Sequence, residues 1–186
     1  MSLNALHSTV ACVLLVSLLT LSGCSRVVVT AADRELTAEY LKDASIQALF
    51  PEKIKSLELA MIDQQAGLPE FNFEWNGYRG VYQKGGQQLE VLVLNKLDQA
   101  AFRSLHEAVR ESAIENGDNA DRLRFNNASY TFWSADGRVY RFYPLQGDLI
   151  VFRTTRNVSE LPLVKEYLRQ RMSERDGVMN PIAVAR

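Results

Sequence analysis

Cysteine is scarce in this chain, and its placement excludes several classes of function. The 186 residues contain two cysteines, Cys12 and Cys24, both within the first 24 residues. The sequence after residue 24 therefore has no thiol. This excludes an intramolecular disulfide, a cysteine-based metal cluster and a cysteine nucleophile from the folded part of the protein.

Histidine is equally scarce. His7 precedes Cys24, and His106 is the only histidine in the rest of the chain. His106 lies in a charged helical stretch between Leu105 and Glu107, so we expect a solvated helix position there and not a general base. Without a second imidazole or a thiol, neither a histidine metal site nor a Cys-His pair can form. The sequence predicts no catalytic residue, no metal site and no cofactor.

Charge of one sign is also missing. The 21 basic and 22 acidic side chains give a formal net charge of -1. This balance gives no whole-molecule reason to expect nucleic acid or an acidic partner. The sequence also lacks a Gly-Lys-Ser/Thr phosphate loop, a Gly-x-Ser-x-Gly elbow and a dinucleotide-binding fingerprint. These enzyme classes are therefore not indicated.

One apolar run stands out near the start of the chain. It extends from Val10 to Leu21 and leads into Leu21-Ser22-Gly23-Cys24. A short apolar run that ends on small residues is typical of a signal peptide, and here the cleavage site is a cysteine. An uncleaved transmembrane helix needs about 20 apolar residues, and Arg26 closes this stretch early. That helix and an ordinary secretory peptide are the alternatives.

At these four residues the chain resembles the bacterial lipoprotein class, whose lipobox is an apolar residue, two small residues and the modified cysteine. The resemblance implies a diacylglyceryl group on the Cys24 thiol, cleavage in front of Cys24 and acylation of the new amino group. Two acyl chains suffice for stable attachment to a membrane. In Gram-negative members, an aspartate after the cysteine commonly causes retention in the inner membrane. Ser25 stands there, which implies the outer membrane, facing the periplasm, where the source has one.

Length and composition predict one domain behind the anchor. Removing residues 1–23 from the 186 leaves 163 residues, enough for one ordinary domain with a real core. We expect a lipidated Cys24 and short tether over 24–32, a single domain over 33–175 and a frayed tail over 176–186. The tether lacks the glycine, serine and proline of a long stalk, so the folded body should lie close to the membrane.

The pattern of apolar residues and turns predicts an α+β fold, an antiparallel sheet of hairpins with helices packed on one face, in the order α-ββ-α-βββ-α. The segment between Lys55 and Gly67 fits a strand or a helix and is assigned to a short strand. The last helix should bury a stripe of Leu161, Val164, Leu168 and Met172. The predicted helices are Asp33 to Leu49, Asp98 to Asn116 and Ser159 to Met172, and the strands are Trp75 to Gln83, Gln87 to Leu94, Arg122 to Trp133, Arg138 to Pro144 and Leu149 to Thr155.

The last three predicted strands contain the candidate binding surface. Turns at Asp136 and at Gln146-Gly147 would place Tyr130, Phe132, Tyr140, Phe142, Leu149 and Val151 on the core face. The opposite face collects Thr131, Trp133, Val139, Arg141, Tyr143, Ile150 and Phe152, which is too apolar for a solvated surface. Either the first helix covers this face, or the face receives a ligand or partner through Trp133, Arg141, Tyr143 and Phe152.

Arginines interleave the aromatics of these strands, a pattern also used for single-stranded nucleic acid. They are Arg122, Arg124, Arg138, Arg141, Arg153 and Arg156. A location outside the cytoplasm favours an anionic glycan or a lipid headgroup instead. We therefore expect a non-enzymatic, lipid-anchored cell-envelope protein that binds a partner protein or an envelope ligand. The alternative is a carboxylate-dependent periplasmic hydrolase, because Asp/Glu pairs work without histidine or cysteine. A purely structural envelope component comes third.

Intact mass spectrometry of the membrane fraction tests the anchor. We expect a protein that begins at Cys24 and carries acyl chains, because the lipobox residues direct both steps. Replacing Cys24 by Ala should leave the precursor uncleaved by the lipoprotein-specific signal peptidase. A mass that retains residues 1–23, or an unmodified Cys24, would contradict this prediction.

Overall fold

The structure is a computed structural model that describes residues 26–115, 123–126, 129–134, 137–145, 147–155 and 160–179. These residues form one antiparallel sheet of eight strands together with four α-helices and a 3-10 turn, Pro69–Phe71, so the chain is α+β. The helices are α1 Ala31–Tyr40, α2 Ala44–Gln47, α3 Gln99–Glu115 and α4 Glu160–Met179. The strands are β1 Lys53–Ile54, β2 Leu57–Gln65, β3 Gly77–Lys84, β4 Gln87–Leu94, β5 Leu123–Asn126, β6 Ser129–Trp133, β7 Arg138–Leu145 and β8 Asp148–Thr155.

The sheet has more strands than the sequence pattern predicted. Its order is β1-β2-β3-β4-β8-β7-β6-β5, and every neighbouring pair except β4-β8 joins strands that are consecutive in the chain. The ambiguous segment after Lys55 is the long strand β2, preceded by the short β1. The predicted strand from Arg122 to Trp133 folds back on itself, because Asn126 pairs with Ser129 in an antiparallel hairpin.

The predicted hairpin registers are confirmed. Tyr82 lies opposite Leu89, and Tyr78 lies opposite Val93. Gly85 and Gly86 adopt positive φ angles of 55° and 89° in the turn between the two strands, as a two-residue hairpin turn requires. In the C-terminal strands, Trp133 pairs with Val139 and Tyr143 with Ile150. Those pairings are symmetric about positions 136 and 146–147, where the sequence predicted the two turns.

The predicted first helix is divided in two. Thr30 caps α1, and Asp33, which the sequence suggested as the cap, instead occupies the third helical position and closes a capping box with Thr30. A second cap then interrupts the predicted helix. The Asp43 carboxylate accepts a hydrogen bond from the Ser45 backbone N–H at 2.8 Å and starts the short α2. A side chain that caps a new helix offers the backbone an alternative to continuing the old one.

Helix α1 packs along β2 at the margin of the sheet. The Thr37 hydroxyl is buried and accepts a hydrogen bond of 2.8 Å from the backbone N–H of Ile62 in β2. The short β1 pairs only with Leu57 and Glu58, so it leaves the rest of this strand without a neighbour on that side. Helix α1 covers the remaining edge of β2. It satisfies the backbone N–H of Ile62 and blocks pairing of this edge with another chain.

Helices cover both faces of the sheet, which corrects the prediction of one covered face. We call the two sides the α4 face and the α3 face after the long helix that packs on each. The core of the α4 face joins sheet residues such as Val91 and Phe152 to Ile46, Phe50, Leu163 and Tyr167. The core of the α3 face joins Leu92, Phe142 and Val151 to Leu105, Val109 and Phe71. The predicted core set Phe132, Tyr140, Phe142, Leu149 and Val151 lies on the α3 face.

The last helix is rotated relative to the predicted stripe. Between residues 161 and 172, where the structure describes the side chains, the buried residues are Leu163, Val164, Tyr167 and Arg171, whereas Leu161 is 45% exposed and Met172 is 57% exposed. The reason is Tyr167, whose ring packs edge-on against Phe152 with centroids 5.3 Å apart and whose hydroxyl donates to the Leu49 carbonyl. The helix continues to Met179, past the predicted start of the tail at residue 176. No helix among the described residues is long and apolar enough to cross a membrane.

The contact between Phe152 and Tyr167 gives a stability test. Phe152→Ala should lower the free energy of unfolding by about 3 to 5 kcal/mol, because it removes a fully buried ring. The matched control is Met172→Ala in α4, where the side chain is exposed and the cost should stay within about 0.5 kcal/mol. Urea denaturation of both variants measures the difference. Equal losses would mean that α4 does not cover this face.

Candidate functional site

The structure removes Phe152 from the candidate binding surface. Its ring is fully buried and contacts both Tyr167 and Tyr143 edge-on. The apolar face is therefore covered from within the chain, by α4 together with Ile46 and Phe50 from the region of the predicted first helix. The alternative of an open surface that included Phe152 was wrong, because this ring is buried. The sequence pattern could not show that the C-terminal helix packs over this face.

Two other predicted binding residues, Arg141 and Tyr143, remain near the surface on the same side of the sheet. Tyr143 is half-buried, with its ring centroid 5.6 Å from that of Phe152. Arg141 is half-buried and donates from Nη1 to the Thr131 hydroxyl at 3.0 Å. Trp133 pairs with Val139 in the sheet, but its side chain lies outside the described residues. His106, predicted as a solvated position, is half-buried in α3.

A row of five charged residues crosses the α3 face, and we call it the arginine-carboxylate ladder. Its members alternate in sign across the sheet: Asp63, Arg79, Glu90, Arg153 and Glu70. Strand pairing brings them together, since Asp63 is opposite Arg79 in β2-β3 and Glu90 is opposite Arg153 in β4-β8. The 3-10 turn supplies Glu70. The ladder thus links four strands and one turn.

Glu90 is the centre of the ladder and its most buried side chain, at 9% exposed. Its Oε2 atom accepts from Arg79 Nη1 at 3.3 Å and also from Arg153 Nη2. Arg153 Nη1 donates to Glu70 Oε1 at 3.0 Å. Arg79 is bidentate on Asp63, with Nε to Oδ1 at 3.0 Å and Nη2 to Oδ2. Each carboxylate of the ladder therefore accepts from at least one guanidinium.

The electrostatics of the ladder favour charged arginines in spite of their burial. Burial alone would lower the pKa of Arg153, but the charges of Glu90 and Glu70 outweigh it and raise the pKa. The pKa of Arg79 is raised in the same way, with Asp63 as its main partner. Burial beside this cluster also raises the pKa of Tyr140 to about 12, with the Glu70 charge adding to the effect. The phenol therefore stays protonated at neutral pH.

This arrangement is suited to bracing the sheet and poorly suited to proton transfer. A general acid or base must exchange its proton with a substrate, whereas these carboxylates are occupied by arginines. Sequence reasoning noted Arg153 among the interleaved arginines but missed Asp63, Glu70 and Glu90. The available signal was Glu90, a charge at an inward position within the apolar strand QQLEVLVL. Its partner is in β8, far away in sequence.

The N-terminal tether docks on the same face. Gln83 Nε2 donates to the Val27 carbonyl at 2.9 Å, and the Val27 N–H donates to Gln88 Oε1 at 3.1 Å. Gln88 Nε2 in turn donates to Glu90 Oε1 at 3.0 Å. A continuous path of hydrogen bonds therefore joins the tether, three residues after Cys24 in the sequence, to the centre of the ladder.

The ladder gives a second stability test. Glu90→Gln should lower the free energy of unfolding by about 3 to 5 kcal/mol, as for other broken buried ion pairs, because Arg79 and Arg153 then repel each other without the carboxylate between them. The matched control is Glu58→Gln, which breaks an exposed pair with Lys53 and should leave stability nearly unchanged. Urea denaturation of both variants decides. A Glu90→Gln cost as small as that of the control would refute the bracing role.

The comparisons with known proteins identify no family. No protein-family model matches the chain, and no characterised protein matches it in sequence. A crystal structure of a GTP binding regulator from Thermotoga maritima is similar in fold, with 12% sequence identity and a TM-score of 0.45. The similarity covers 70% of this chain and 87% of that chain. A likeness so distant says nothing about what this protein binds.

Proposed function

We propose that this chain is a lipid-anchored cell-envelope protein that binds a partner protein or an envelope ligand and does not catalyse a reaction. The anchor is Cys24, and the location is the outer membrane, facing the periplasm, where the source has one. The proposal combines the lipobox with two features of the folded body: a tether that is docked and a set of acidic residues that is occupied.

The docking of Val27 is the observation that carries the proposal. Cys24 precedes Val27 by three residues, a distance that an extended chain spans in about 10 Å. Because Gln83 and Gln88 hold both backbone groups of Val27, the acyl chains attach close to the folded body. A protein held this closely is suited to work at the membrane surface and not at the end of a long stalk.

The ladder supports a binding role over a catalytic one. Hydrolysis by two carboxylates needs one group that gives a proton and another that attacks or activates water. Among the described residues, the carboxylates that converge on the α3 face are Asp63, Glu70 and Glu90, and guanidinium groups hold all three. The carboxylate-dependent hydrolase remains the second hypothesis. Turnover of an envelope polymer by the purified protein would favour it.

The candidate binding surface is the part of the α4 face around β6 and β7. It keeps Trp133, Arg141 and Tyr143 from the predicted set and excludes Phe152, which is buried. Half-buried aromatic and arginine side chains are the residue types that contribute most to protein interfaces. Arg141 also suits an anionic glycan, because its fork of donors matches carboxylate groups.

Site-specific photocrosslinking tests this surface in the membrane-anchored protein. A photoreactive phenylalanine analogue in place of Tyr143 should form an adduct with the partner or ligand, because the ring stays aromatic and near the surface. The matched control is the same analogue in place of Tyr40, another half-buried tyrosine, in α1. Arg141→Ala should weaken the adduct at position 143. Identical products from both positions, or none at 143, would contradict the proposed surface.

A further inference from the structure

The end of the sheet that receives the tether carries an excess of exposed lysines. Strand pairing defines this end, because Lys53 lies opposite Glu58, Glu58 opposite Gln83, and Gln83 opposite Gln88. The β1-β2 turn, the β3-β4 turn and the start of α4 lie beyond this row. We call this region the anchor end. Its exposed lysines are Lys53, Lys55, Lys84 and Lys165, and its exposed carboxylates among the described residues are Glu52 and Glu58.

Three of these lysines have no ion-pair partner in the part of the chain that the structure describes. The carboxylate of Glu58 is paired with Lys53 at 3.1 Å, and that of Glu166 is paired with Arg169 at 2.7 Å. Lys55, Lys84 and Lys165 have no carboxylate within 4.0 Å among the described residues. Their charges face solvent from two tight turns and one helix.

A surface groove lies among these lysines. It has a volume of about 350 Å³ and is lined by Lys55, Leu161, Pro162, Lys165, Glu166 and Arg169. Leu161 and Pro162 contribute aliphatic carbon to its lining. Lys55 and Lys165 contribute two ammonium groups that have no ion-pair partner among the described residues. A phosphate group next to aliphatic carbon, as in a phospholipid headgroup, has the chemistry that fits this groove. The Glu166 carboxylate is already bound by Arg169 and Gln170.

The opposite end of the sheet has the reverse balance. It carries the carboxylates of Asp43, Glu74, Asp98 and Asp148, and its lysines in the described residues are Lys42 and Lys96. The buried Arg171 lies 3.9 Å from the Asp148 carboxylate. The molecule is therefore polarised along its strands, with the lysine-rich end next to the tether. Surface charges act over a Debye length of about 8 to 10 Å, so an anionic membrane would attract one end and repel the other.

We infer that the anchor end binds the phosphate groups of anionic phospholipid headgroups in the bilayer that holds the anchor, through Lys55, Lys84 and Lys165. This inference rests on the proposed lipid anchoring at Cys24. The occupant follows from charge complementarity and from the tether, which keeps these lysines near the bilayer. Basic residues close to an anionic surface each strengthen membrane binding, and the anchor makes that encounter intramolecular.

Lysine acetylation of the processed, acylated protein tests the surface. The protein is incorporated into vesicles of phosphatidylcholine and into vesicles that also contain phosphatidylglycerol, and mass spectrometry follows each lysine. Phosphatidylglycerol should slow acetylation of Lys55, Lys84 and Lys165, and of Lys53 beside them, by about fivefold. High salt should remove the protection. Lys42 and Lys96, at the opposite end, should react equally in both vesicles and serve as internal controls.

Matched variants separate the possible outcomes. Lys55→Gln/Lys84→Gln/Lys165→Gln should stay membrane-bound but lose the protection that phosphatidylglycerol gives to Lys53, whereas Lys42→Gln/Lys96→Gln should keep it. Equal acetylation in both vesicles, with the protein still membrane-bound, would overturn the headgroup interaction and leave the anchor intact. Failure of the processed protein to remain with vesicles of either composition would overturn the anchor itself, and the inference with it.

Discussion

The pairing of β4 with β8 is the contact on which the rest of the fold depends. Every other pair of neighbouring strands is consecutive in the chain and forms a hairpin or a short connection. Only this pair joins the first four strands to the last four. Glu90 and Arg153 face each other across it, and Arg79 and Glu70 extend the charged row to each side. A charge buried at a junction is costly unless its partner is in register, so the ladder penalises any slip of one half against the other.

The two faces of the sheet follow from the same junction. Side chains alternate along a strand, so fixing Glu90 on the α3 face sends Val91 and Val93 to the α4 face. Phe152 and Ile150 in β8 then meet those valines across the junction. The result is a continuous apolar surface on the α4 face, and Tyr167 and Phe50 pack against it. The register that pairs Glu90 with Arg153 therefore determines where α4 can pack on the sheet.

Local sequence signals predicted local structure well and distant contacts poorly. Gly85-Gly86 and Gly147 were sufficient for the register of two hairpins, because a two-residue turn fixes which residues face each other. The partner of β4 was not predictable in this way, since more than 50 residues separate Glu90 from Arg153. The last helix shows the same limit. Its apolar residues are compatible with either of two buried stripes. The contact of Tyr167 with Phe152 selects the stripe that buries Arg171 and leaves Met172 exposed.

Net charge is the sequence property that would most mislead a prediction of partners here. A formal charge of -1 gave no reason to expect an anionic partner, yet it is an average over two ends of opposite character. Which end a lysine occupies depends on the turn that carries it. Lys55 and Lys84 are distant in sequence, but both lie beyond the same row of paired residues, which begins at Lys53. The tether reaches this row through Gln83. Salt screens charges that are more than about a Debye length from the bilayer, so the charges nearest to the bilayer determine the attraction. A nearly neutral protein that is held at one end can therefore present a cationic surface to the bilayer.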